Sequence, residues 1–110
     1  MDKRDNIILN KILKETIVIT DMINNYDCAL FVSDEKTKRA VCMTLINIGE
    51  LVKLLSDSIK SSNSQIPWRS ISGLRDVTAH GYQTLRMEDI WETVISDIPV
   101  LREQVKKILE

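Results

Sequence analysis

Residues 9–30 read LNKILKETIVITDMINNYDCAL, and their spacing decides the fold class. Leu9, Ile12, Thr16, Ile19, Ile23, Tyr26 and Leu30 recur at intervals of three, four, three, four, three and four. That is one stripe along a long helix, with Thr16 its only polar member. The same rhythm returns at Val41, Leu45, Ile48, Val52, Leu55 and Ile59, and again at Trp91, Val94, Ile98, Leu101, Val105 and Ile108. No period of two persists. The predicted class is all-α: an antiparallel bundle of about four helices with short helical turns. A bundle this small leaves an apolar face to cover, which predicts a homodimer.

The punctuation between the stripes agrees. Ser33 and Asp34 can cap the second helix, and Glu35 adds negative charge near its N-terminus. SSNSQIP, residues 61–67, is the one loop-like stretch of any length. Pro67 suits the first turn of a short helix starting near Trp68; Gly73 interrupts that turn and Gly81 stops a helix just after His80. Pro99 falls inside the third stripe and predicts a kink or restart, with Asp97 as a cap. Gly49, inside a helix, predicts close approach of another helix.

Composition narrows the function classes. The 110 residues are 44% hydrophobic, 28% charged and only 5% aromatic, which excludes a disordered or low-complexity chain and disfavours a β-sandwich. One domain over residues 1–110 is expected, without repeats or linkers. A net charge of −1 supplies no general attraction to nucleic acid or anionic membrane. No apolar run approaches the roughly 18–20 residues of a membrane span, and MDKRDNIILN lacks the core of a signal peptide. Cys28 and Cys42 stand apart from any zinc or redox spacing, so free thiols and a cytoplasmic location are expected.

The chemical inventory is short. There is one histidine, His80, and neither a metal-ligand cluster, a phosphate loop nor a nucleophile elbow. No cofactor is expected. Around it runs IPWRSISGLRDVTAHGY, residues 66–82. Arg75 and His80, five apart, would sit about 140° around a regular helix and about 7.5 Å along it, whereas Asp76 and His80 share a face. Between Lys60 and Arg86, the basic side chains Lys60, Arg69, Arg75 and Arg86 oppose Asp76 alone, a local charge of +3 that suits a phosphodiester. On spacing alone the plainer assignment prevails: a histidine before a helix-stopping glycine serves as a C-cap, and Arg75 with Asp76 as a solvated pair. Tyr82 could equally pack its ring and expose its hydroxyl. Asn47 and Glu50, three apart and off the second stripe, either line a cleft or face solvent. Trp68 and Trp91 are read as packing anchors.

The segment GLRDVTAHGY resembles the signature of the HepT-like toxin ribonucleases of the HEPN superfamily: an Arg, four to six residues, a His, one residue and a Tyr. Here these are Arg75, His80 and Tyr82, flanked by the similar PWRSISGLRD and LRMEDIWETVISDIPVL and preceded by Ile48-Gly49-Glu50. The resemblance runs from about Thr37 to the end. It implies a homodimeric, metal-independent endoribonuclease whose two motif copies face one cleft, the toxin of a HepT/MntA-type toxin–antitoxin pair. RNA would be the substrate, with neither DNA nor membrane as a partner. A cognate small nucleotidyltransferase antitoxin would silence it by transferring AMP to Tyr82. Arg75 and His80 would be catalytic, with Asp76, Glu50 and Asn47 in support; Asp76 stands where the superfamily also carries Asn, and adds negative charge near the phosphate. The alternative function is a non-catalytic helical docking partner of that nucleotidyltransferase, which the near-neutral net charge favours.

Overall fold

A computed structural model describes residues 1–74 and 82–110, Tyr82 through its backbone alone. All regular structure among the described residues is helical. The elements are α1 (Lys3–Met22), α2 (Cys28–Ser33), α3 (Glu35–Lys53), α4 (Asp57–Ser62), α5 (Trp68–Ser72), a 3₁₀ turn (Tyr82–Thr84), α6 (Met87–Glu92), a π-helical segment (Thr93–Asp97) and α7 (Ile98–Leu109). The last three join into one helical stretch. Helix α1 packs against both α3 and α7, and α5 packs against α3. Two side-chain bridges, Asp5 to Ser56 and Glu15 to Asn47, set α1 antiparallel to α3.

The first stripe does not form one helix. Helix α1 ends at Met22, with Ile23 as its C-cap, and Asn25 takes φ 67, a left-handed conformation that asparagine tolerates better than most residues. The Asp27 side chain then accepts from the Leu30 amide and starts α2 as a separate helix. Leu30, expected on the stripe, is consequently 46% exposed, and Phe31 is buried in its stead. Tyr26 still packs on the core, from the linking turn, and donates its hydroxyl to Asp34 at 2.6 Å. Thr16 is fully buried and satisfies its hydroxyl on the Leu13 carbonyl at 2.6 Å.

The second stripe is buried throughout, Val41 to Ile59, but it spans two helices. Leu54 ends α3 and Ser56 caps α4. Asp34, not Ser33, caps α3, accepting from the Thr37 amide; Ser33 closes α2 by donating to the Leu30 carbonyl. Ser61 and Ser62 belong to α4, so the loop-like stretch shrinks to residues 63–67. Pro67 and Gly73 bracket α5 as its N- and C-caps. The two cysteines are free thiols, and Gly49 is buried on α3.

Around Pro99 the structure corrects the expected cap. Asp97 is itself helical and its side chain caps nothing. Proline lacks the amide that would bond the Ile95 carbonyl, and its ring crowds that carbonyl. The chain widens to a π turn just before it, where the Ile98 amide reaches Thr93, and the helix continues. Val94, Ile98, Leu101 and Val105 thereby stay in the core.

One clasp ties the start of α1 to the turn that follows α3. Asp5 is 4% exposed and accepts from both the Ser56 amide (3.0 Å) and the Ser56 hydroxyl (2.5 Å), which in turn accepts from the Ile59 amide. The hydroxyl, then the amide, hold the Asp5 carboxyl below the usual range against the opposing pull of burial. Asp5→Ala, which orphans both donors, is expected to cost about 1.5–3 kcal/mol in urea unfolding at neutral pH. Because the folded pKa is depressed, the contribution is complete above about 3.9 and fades as pH falls through the lowered value. Wild type should therefore lose more stability than Asp5→Asn between neutral pH and pH 2; equal losses would show that Asp5 carries no such linkage.

Candidate functional site

The motif segment enters and leaves through well-anchored structure. Before it, Ile66 and Trp68 are buried, and the Trp68 indole donates to the Asn63 carbonyl at 3.1 Å. This ties α5 to the C-cap of α4, while α5 packs against α3 and Leu74 still packs on the core. After it, the 3₁₀ turn beginning at Tyr82 leads to Leu85, packed on the core, and buried Met87. Arg75, Asp76, His80 and Gly81 lie outside the described residues, and Tyr82 is placed only as the start of that turn.

The basic patch is thinner in its described part than the sequence count. Arg86 shares its charge with Asp89 at 3.7 Å, an exposed partner just beyond the counted window. Lys60 and Arg69 make no ion pair among the described residues. Trp68 and Trp91 are packing residues as read: Trp91 lies 5.3 Å from the Phe31 ring.

Asn47 and Glu50 come together on the exposed side of α3, along a hollow of about 380 Å³ between α1 and α3. The Asn47 amide donates to Glu15 Oε1 at 3.0 Å. Lys11 and Lys14, on α1, line the same hollow. Sequence inspection missed Lys11, Lys14 and Glu15, although their spacing of three and four beside the first stripe was visible. A second hollow, about 360 Å³ and mostly apolar, lies between α5 and α7 and reaches Leu74, the residue before Arg75. No group of three metal-ligating side chains converges among the described residues, and none of the described helices is long and apolar enough to cross a membrane.

A chain whose described residues form helices alone, and whose sequence carries an Arg–His–Tyr signature, defines the class, and comparison with known proteins gives the family. The family model described as "Ribonuclease HepT-like" matches residues 12–108, and the chain belongs to that family. A protein of Caldanaerobacter subterraneus subsp. tengcongensis, provisionally named an RNase, is 36% identical over 102 residues, covering 93% of this chain and 91% of its own. One from Methanocaldococcus jannaschii, named in the same way, is 33% identical across 100% of this chain and 92% of its own. A protein of Thermococcus cleftensis named as a ribonuclease HepT on grounds of probability is 36% identical over 78 residues, 71% of each chain. No solved structure matches.

Proposed function

We propose that this chain is a metal-independent endoribonuclease, the toxin of a toxin–antitoxin pair, acting on RNA in a cleft shared by two copies of the chain. The observation that carries this is the Arg75–His80–Tyr82 signature inside a family match of residues 12–108. RNA supplies its own nucleophile, the 2′-hydroxyl, so cleavage needs a base to take that proton and an acid to protonate the leaving 5′-oxygen. Imidazole, with an ordinary pKa near 6.5, suits both tasks at neutral pH. Each chain has one histidine, and a symmetric pair brings two. Arg75 grips the phosphate and stabilises charge building on its oxygens. Asp76 neighbours that charge, and Asn47 and Glu50 support the cleft from α3. Tyr82 offers a hydroxyl for AMP from a partner nucleotidyltransferase, and adding that phosphodiester beside the cleft switches the toxin off.

The net charge of −1 favours a second reading, a docking partner of the nucleotidyltransferase without activity of its own. The deciding experiment is cleavage of end-labelled RNA by unmodified protein in EDTA. Cleavage is expected; a folded, unmodified protein that leaves RNA intact would establish the docking reading instead. Sedimentation at micromolar concentration tests the shared cleft, since a 12.6 kDa species that still cleaves would exclude it.

A further inference from the structure

We propose that the hollow between α1 and α3 is a single-nucleotide subsite for the RNA substrate, with Lys11 and Lys14 holding its phosphate and Asn47 reading its base. The inference rests on the ribonuclease reading above and extends it to the chain's choice of sequence.

The lysines are chemically available. Lys11 and Glu15 are four apart on α1, the spacing at which an ion pair ordinarily forms. Here Glu15 turns instead across the helix interface to accept from Asn47 at 3.0 Å. Neither Lys11 nor Lys14 makes an ion pair among the described residues, and both are exposed. Three apart, they present two ammonium groups on neighbouring positions of one helix face.

The remaining lining is what a nucleotide needs and a bare anion does not. Glu15 and Glu50 offset the two lysines, so the hollow as a whole carries no excess charge. A free phosphate would gain little there. A nucleotide separates its charge from its base, and a mixed wall matches that division. The Asn47 amide keeps a second N–H and its carbonyl oxygen for a base edge, and the second Glu15 oxygen accepts from an exocyclic amine. Leu51 and half-exposed Leu54 supply an apolar surface for the ring or ribose. About 380 Å³ falls within the range of small-ligand sites. Single-stranded RNA, whose bases can be splayed outward, is the form that such a subsite takes.

The test uses full-length His80→Ala protein, so that RNA is bound and not consumed, and fluorescent ten-mers of each ribonucleotide. Adding Lys11→Glu and Lys14→Glu should weaken binding at least tenfold and lower the salt dependence, log K against log salt, by about 0.7, the counterion share of one phosphate contact on a single strand. Lys11→Arg with Lys14→Arg should keep the affinity. The charge-matched pair Lys36→Glu and Lys107→Glu, on exposed surface elsewhere, should change it less than threefold. Asn47→Ala should narrow the preference among the four ten-mers by about fivefold or more. Unchanged affinity and salt slope in the Lys11→Glu/Lys14→Glu protein, with native circular dichroism, overturns the subsite and leaves the hollow to a protein partner. An equal loss in the control pair overturns it as well. Wild type that cuts RNA while these variants bind normally removes the subsite alone, whereas wild type that neither binds nor cuts removes the ribonuclease reading with it.

Discussion

His80→Ala is expected to lower RNA cleavage in EDTA by about 10²- to 10⁴-fold, the range that positioned general acid–base catalysis supplies. The figure is large because the chain has no second histidine to take over. The residual rate should lose the bell and rise with pH as hydroxide takes the 2′-hydroxyl proton, while wild type should show a bell whose limbs flank the histidine range, one copy acting as base and the other as acid. Arg75→Ala should fall by about 10²–10³-fold through lost stabilisation of the phosphate oxygens, and Arg75→Lys should recover only part of it, since an ammonium cannot grip two oxygens in parallel. A tenfold excess of His80→Ala chains, mixed and re-equilibrated with wild type, should suppress cleavage, because mixed pairs hold one imidazole per cleft. Tyr82→Phe isolates the regulatory half: with nucleotidyltransferase and ATP, wild type should gain the mass of AMP and the variant none. Equal cleavage by wild type and His80→Ala would place the activity in other residues.

The core was largely legible because one rule governs it. Burial on a helix repeats every three or four residues, and most positions so chosen are buried, including all six from Val41 to Ile59 and the run from Val94 to Val105. Breaks between helices were less legible, since the period survives them. Leu55 and Ile59 keep the rhythm of α3 across a new cap at Ser56, whereas Leu30 loses the rhythm of α1 across Asn25. The difference lies in the turn: the chain from α3 into α4 preserves the facing direction, and the left-handed residue before α2 does not. Pro99 announced an irregularity but not its form, because a π turn and a restart both relieve the same missing amide. Of the site, the Arg–His–Tyr spacing was visible as a motif. The Glu15–Asn47 bridge was not, since it joins residues 32 apart through a packing that no local pattern encodes.

Leu30 and Phe31 offer the sharpest stability contrast. The stripe drawn on the sequence puts Leu30 in the core; the folded chain puts Phe31 there, with no exposed surface, and leaves Leu30 46% exposed. Phe31 is the sole buried residue of the six in α2, and its ring meets Trp91 at 5.3 Å across to α6. Removing it takes away the apolar anchor of a helix too short to persist alone. Phe31→Ala is therefore expected to cost about 3–5 kcal/mol, which for a chain of this size lowers the melting temperature by roughly 12–25 °C. Leu30→Ala should cost about 0.5 kcal/mol or less, as exposed substitutions do, with alanine's helix preference offsetting part of the loss. Thermal unfolding of the two variants side by side decides between the registers. A large loss at Leu30 with a small one at Phe31 would mean that α1 runs on through Asn25 and that the stripe was right. The expected order instead makes the turn at Asn25 the device that trades one apolar side chain for its neighbour, and makes Phe31 the link that carries α2 onto the helix following the Arg–His–Tyr segment.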